Sequence, residues 1–321
     1  MNFYEEERKN VYKTVILVLI FFGLMFLLGL IIDRLLGLFP IFTSIFTVIA
    51  FIQFLVSISS GPKLLLNSVN ARELNTEVLE EKQLKNIVEE LSIAAGFTDP
   101  PELYIIDDPN VMNAFATGFK QEKSYICVTS GLVKNMNREE KEGVIAHELS
   151  HIKNRDILLM TIIGAMIGAI IIIKSLAWNY IKYSMFTIRR RRKSKETDNL
   201  VLIAFVVFIL TAIFAFLGKL TYFAVSRNRE FLADSTAVEL TRNPHGLANA
   251  LRKIAKNSNK LKNASSAIAH LFISDPLKRS INNKHGFFAN LFATHPPIHE
   301  RIAILEGKSK SPEIILRELP E

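Results

Sequence analysis

A single cysteine, Cys127, stands in the 321 residues. No intramolecular disulfide can form, and no multi-cysteine metal site can be built. Cys127 lies in the apolar run Tyr125-Ile126-Cys127-Val128 and reads as a core residue. Charge is sparse as well: 22% of residues are charged against 49% hydrophobic, with a mean hydropathy of +0.23. That balance is too apolar for an ordinary soluble enzyme. The scarcity is also uneven. Thr14 to Ile32, Ile41 to Ile58, Ile157 to Ile173 and Leu200 to Leu217 contain no charged residue at all, and each is about as long as a helix needs to cross a bilayer core. The first block lacks a small-residue cleavage site and is followed almost at once by the second, which separates it from a signal peptide. None of the blocks carries the ionisable residues that a small-solute transporter places inside the membrane. The chain reads as an integral membrane protein whose lipid bilayer is its first partner.

What is present is most concentrated at His147-Glu148-Leu149-Ser150-His151. Residues four apart share one face of a helix, so His147 and His151 can hold one zinc ion while Glu148 is a candidate general base, the H-E-x-x-H arrangement of zinc peptidases. Asn137 with Glu139 and Glu140 supplies a helix start, and Val144, Ile145, Leu149 and Ile152 an apolar stripe. With the one cysteine read as a core residue, the metal must rely on histidine and carboxylate ligands, which fits a catalytic rather than a structural zinc. A third ligand is needed. Just after the fourth block, Glu230 and Asp234 stand four apart on a probable helix. Glu230 can ligate the metal, and Asp234 can accept a hydrogen bond from a ligand histidine and orient its ring. The competing reading of this pair is a solvated, salt-bridged face beside Arg227 and Arg229.

The organisation follows the blocks: an N-terminal transmembrane hairpin (1–60), a segment carrying the HELSH helix (61–156), a second hydrophobic pair with a basic loop (157–225) and a segment carrying the third ligand (226–321). Within the first polar segment, Leu79 to Leu91 has helical apolar spacing with Gly96 as its stop. Leu103 to Ile106, Phe115 to Phe119 and Tyr125 to Thr129 read as strands. The motif helix then begins soon after Gly131. It is expected to run without a breaker into the third block, which puts the zinc within roughly 10 Å of the membrane surface at 1.5 Å of rise per residue.

His147 to His151 followed by Ile152-Lys153-Asn154-Arg155-Asp156, then Ser226-Arg227-Asn228-Arg229-Glu230 with Ala233-Asp234, resembles the HtpX family of membrane-embedded zinc metalloproteases, relatives of the CaaX prenyl endopeptidases. The resemblance extends to Asn113-Ala114-Phe115-Ala116-Thr117-Gly118, Asn243-Pro244-His245-Gly246-Leu247 and Thr294-His295-Pro296-Pro297. It implies one zinc per subunit held by His147, His151 and Glu230, water activation by Glu148, and substrate lying along Asn113, Ala114, Phe115 and Ala116. It also makes His295 a candidate for stabilising the transition-state oxyanion. His299 stands where the resemblance leads one to expect a carboxylate or another non-histidine residue, which leaves the role of that pair open. The implied fold class is α+β, mainly α, with four hydrophobic helices and a zincin-like catalytic domain containing a small sheet. The implied substrates are misfolded or unassembled membrane proteins. A non-catalytic zinc-binding adaptor and a processing peptidase for one specific substrate are the alternatives.

Arg8, Lys9 and Lys13 favour a cytoplasmic N-terminus, hence a cell-membrane protein with its active site facing the cytoplasm. Arg189-Arg190-Arg191-Arg192-Lys193-Ser194-Lys195 then conflicts with the positive-inside rule if the third and fourth blocks both span. Either those blocks form a hairpin that does not fully cross, with the run on anionic headgroups, or the loop is an exception. Basic residues flanking membrane segments account for much of the net charge of +8, and nucleic acid is not an expected partner. Oligomeric state leaves no signature in the sequence.

Overall fold

The structure, a computed structural model, describes residues 3–158, 229–257, 259–262, 271–277 and 296–308, with a few short stretches between them. The third and fourth hydrophobic blocks, the arginine run and His295 lie, apart from isolated positions in the blocks, outside the described residues. The described residues fall into two compact units. Residues 1–11, 60–161 and 223–321 belong to one, and 12–59 and 162–222 to the other.

Two long helices open the chain, α1 (Phe3–Leu36) and α2 (Ile41–Ser68). Thr14–Arg34, with mean hydropathy 3.3, and Ile41–Ser68, with 2.3, are each long and apolar enough to cross a membrane. Leu19, Phe26, Phe51 and Ile52 are exposed, a pattern that costs free energy in water and none in lipid. The connection is set by Asp33. Its buried carboxylate accepts the Phe42 and Thr43 backbone N–H groups at 2.8 and 2.9 Å and the Thr43 hydroxyl at 2.6 Å. Two amides orphaned at the start of α2 are thereby satisfied by a side chain from α1.

The other unit carries a four-stranded mixed sheet in the order β1-β2-β4-β3. Its strands are β1 (Ala71–Glu73), β2 (Glu102–Ile106), β3 (Ala114–Lys120) and β4 (Lys123–Thr129). β2 and β4 run parallel, and the other two pairings are antiparallel. Strand β1 has no counterpart in the hydropathy pattern: three residues give too short an alternation to read. Helix α3 (Leu79–Ala95) ends as expected at Gly96, whose φ of 80° suits the left-handed C-cap.

The region after Gly131 holds two helices rather than one. α4 (Ser130–Asn135) stops, and α5 (Arg138–Lys153) starts afresh on a capping box. Asn137 Oδ1 accepts the Glu140 N–H at 2.9 Å, and the Glu140 carboxylate accepts the Asn137 N–H at 2.8 Å. α5 is buried around most of its circumference. It packs against α3, against β3 and against the later helix Pro244–Lys256. That contact is close because Gly143 and Gly246 lack side chains: a Cβ on Gly143 would lie 2.6 Å from the Leu247 nitrogen, and one on Gly246 2.5 Å from the Glu139 carbonyl oxygen. Asn243 caps the later helix by accepting the Gly246 N–H at 3.2 Å, with Pro244 in its first turn.

The expected unbroken continuation of the motif helix does not hold. α5 ends at Lys153, and the chain turns through Asn154 and Arg155, the latter at φ 54°. A new helical stretch begins at Asp156. The depth inferred from a straight 1.5 Å rise loses its basis with that turn.

Candidate metal centre

Helices α6 (residues 229–241), α7 (Pro244–Lys256) and α8 (Ile298–Leu305) complete the described elements. Two of them, α6 and α8, bring side chains to the site on α5. α5 contributes His147 and Glu148, both buried, and the half-buried His151. α6 contributes Glu230 and Asp234, and α8 contributes Arg301. Asp156, the remaining residue of the site, follows the turn that ends α5 and stands in this position because the helix breaks at Arg155.

The donor atoms of His147, His151 and Glu230 all lie within 4.8 Å of one another. The two Nε2 atoms stand 3.2 Å apart, and each lies 3.7 Å from a Glu230 carboxylate oxygen. The opposite ring nitrogens are occupied. His147 Nδ1 meets Asp234 Oδ1 at 2.9 Å, and His151 Nδ1 meets Asp156 Oδ2 at 3.1 Å. With each Nδ1–H donated to a carboxylate, both neutral imidazoles direct their Nε2 lone pairs at the same point, beside an anionic oxygen. Such a set repels itself unless a cation is shared. Two ligands about 2.0–2.1 Å from a tetrahedral zinc would stand about 3.3 Å apart; the residues present fit that ion.

The electrostatics agree for His147. Burial, with the Arg301 charge, pushes His147 down to about 4, against the opposing pull of Asp234. It is therefore a neutral ring, as a ligand must be. Burial also works to lower His151, but the hydrogen bond it donates to Asp156 and the charge of Glu230 outweigh it and carry the ring upward. Glu148 is buried, and neither carboxylate oxygen has a hydrogen bond of ordinary geometry. Burial raises it to about 7, with His151 opposing, and the nearby Ala116 amide, outside good hydrogen-bond geometry, pulls only slightly the other way. A carboxylate poised there suits general-base work.

Arg301 is fully buried. It donates to Asp234 from Nε at 2.8 Å and from Nη2 at 2.7 Å, a bidentate pair, and its Nη1 lies 3.2 Å from Glu230. Burial opposes ionisation of Asp234, yet Arg301 holds the carboxyl below its usual range. Sequence reading missed both Arg301 and Asp156. The signals were slight: Asp156 closes the His147–Asp156 stretch, and Arg301 follows His295 by six positions.

Of the expected substrate stretch, Ala116 lines the cleft with Glu148 and His151. Asn113, Ala114 and Phe115 instead meet another part of the chain. His299 is half-buried at the start of α8, while His295 lies outside the described residues.

Residues 78–309 match the profile of peptidase family M48. The chain belongs to this family. M48 membership makes the protein a membrane-bound metalloendopeptidase, and the histidine–glutamate cluster is its possible metal site. Curated M48-like relatives are similar over nearly the whole chain. A protease HtpX homolog of Caldanaerobacter subterraneus is 39% identical over 310 residues, 95% of this chain and 97% of that protein. Another, from Dictyoglomus turgidum, is 41% identical over 301 residues, 94% and 93% of the two chains. The crystal structure of S. mikatae Ste24p superposes with a TM-score of 0.50 at 18% identity, covering 94% of this chain and 66% of that one; that likeness is one of fold.

In this M48 chain, Asp156 is expected to set the His151 ring. Asp156→Asn should weaken metal binding by about 10–100-fold, read by competition with a chromophoric chelator. An unchanged affinity would make Asp156 a helix-start residue only.

Proposed function

We propose that the protein is a zinc-dependent endopeptidase of the cell membrane, multi-pass and facing the cytoplasm, that hydrolyses misfolded or unassembled membrane proteins in quality control and stress response. The observation that supports it best is the convergence of two Nε2 atoms and the Glu230 carboxylate beside a buried, hydrogen-bond-poor Glu148. In this reading His147, His151 and Glu230 hold one zinc ion per subunit. Zinc, when bound, supplies a Lewis acid that acidifies water and polarises the scissile carbonyl.

Every other role falls to the chain. Glu148 takes a proton from the attacking water and returns it to the leaving amine, so no covalent intermediate with the protein is needed. Asp234 and Asp156 fix the ring orientations of His147 and His151. Arg301 holds Asp234 charged. His295 is the oxyanion donor on the ground of resemblance alone. The cytoplasmic orientation is supported by Arg8, Lys9 and Lys13 before the first apolar block, and the substrate class rests on the family resemblance of the sequence alone. The third and fourth blocks, with the first two, would give the four hydrophobic helices around a zincin-like domain.

Cleavage of an unassembled membrane-protein fragment by detergent-purified protein tests this, with metal content measured in parallel. A chelator should stop cleavage, and stoichiometric zinc should restore it. Metal-bound protein that leaves the fragment intact would favour an adaptor, and cleavage indifferent to the chelator would remove the metal from the chemistry.

A further inference from the structure

β3 lies at the end of the sheet, yet part of its outer edge is already taken. Phe115 and Phe272 form an antiparallel bridge, with ring centroids 4.7 Å apart. The Ile273 N–H donates to the Ala114 carbonyl at 2.9 Å. The Asn113 side chain grips Ser274 from both sides: Nδ2 donates to its carbonyl at 2.8 Å, and Oδ1 accepts its N–H at 3.4 Å. The Ile273 carbonyl in turn accepts a hydrogen bond from Arg301 at 3.3 Å, the same guanidinium that contacts Glu230. The backbone of 272–274 therefore reaches from the sheet edge to the arginine behind the metal ligands, antiparallel to β3. An edge strand receives an extended peptide in this way. Leu271 then lines the cleft beside Ala116, Glu148 and His151, whose volume is about 20 Å³. One water needs about 10–15 Å³, so the cleft beside Glu148 is narrow, with Leu271 among the residues that line it.

We propose that residues 271–274 are an internal pseudo-substrate, a strap on the β3 edge that a protein substrate must displace before it is cut. The inference rests on the peptidase reading of the site. The hydrogen bonds of the strap to β3 and Asn113 use its main chain. An incoming strand can replace those hydrogen bonds one for one. Because Phe272 and Ile273 are buried, it must also fill the room their side chains leave, which favours apolar residues there. Apparent substrate affinity is the intrinsic affinity multiplied by the fraction of molecules in which the strap is displaced.

Locking the strap tests this. Directly opposite residues of an antiparallel pair lie about 4.5–5.5 Å apart, within disulfide reach. Phe115→Cys with Phe272→Cys, in a Cys127→Ala background because Cys127 pairs with Phe115 across β4, should cleave the unassembled fragment when reduced and fall to background when oxidised. Equal cleavage in both states would overturn the proposal. If the reduced variant does not cut, hydrogen exchange on Glu148→Gln decides instead: the amides of 271–274 should exchange faster when the uncleaved fragment is added, and unchanged protection would overturn the strap. Failure of the peptidase reading shows separately, as wild-type protein that holds metal and does not cut.

Discussion

Replacing Glu148 by Gln is expected to abolish proteolysis while leaving the metal bound. The side chain sits at the floor of a cleft lined by Ala116, His151, Glu230 and Leu271, and its oxygens have no hydrogen bonds of ordinary geometry. A glutamine fits the same volume but has no basic oxygen to receive a proton. General-base catalysis contributes about 10²–10⁴-fold, and a loss of at least that size is expected in kcat. His147, His151 and Glu230 are untouched, so metal content by mass spectrometry should match wild type. Full activity in the variant would remove Glu148 from the chemistry. Loss of metal together with activity would instead place it among the ligands.

Replacing Arg301 by Met is expected to cost the fold more than any other single change at the site. The guanidinium is fully buried and serves two carboxylates from different turns of α6. Without it, Asp234 is left charged and buried, with the His147 Nδ1–H as its one remaining partner among the described residues, and Glu230 loses a neighbouring cation. Removing one member of a buried pair typically costs about 3–5 kcal/mol. Thermal unfolding in detergent, with chelator present so that metal binding does not mask the effect, should show the loss. Adding Asp234→Asn should restore part of the stability, because the uncompensated charge is gone. Metal affinity should stay low in the double variant, since His147 no longer donates to a carboxylate. A single variant as stable as wild type would show that Asp234 and Glu230 find another partner.

Local features were legible where local chemistry alone decides them. The stop of α3 at Gly96 follows from glycine's access to positive φ. The start of α5 follows from Asn137 and Glu140, which satisfy each other's backbone within four residues. β2, β3 and β4 were visible as apolar runs, each extended by a residue or two in the structure. The turn at Asn154 and Arg155 was not, because neither residue forbids helix and the left-handed φ falls on an arginine.

The sequence by itself determined the two apolar N-terminal helices, the helical pair His147 and His151 with Glu148 between them, and Glu230 with Asp234 one helical turn apart. Each is fixed by periodicity or by i,i+4 spacing. Only the tertiary structure decided that these two helical fragments meet with their donor atoms converging. It alone set which carboxylate orients which ring, placed Arg301 against Asp234 from 67 positions away, and laid residues 272–274 along β3. Contacts between distant segments depend on how helices and sheet pack, through close approaches such as Gly143 against Leu247. No spacing rule within the chain encodes that geometry.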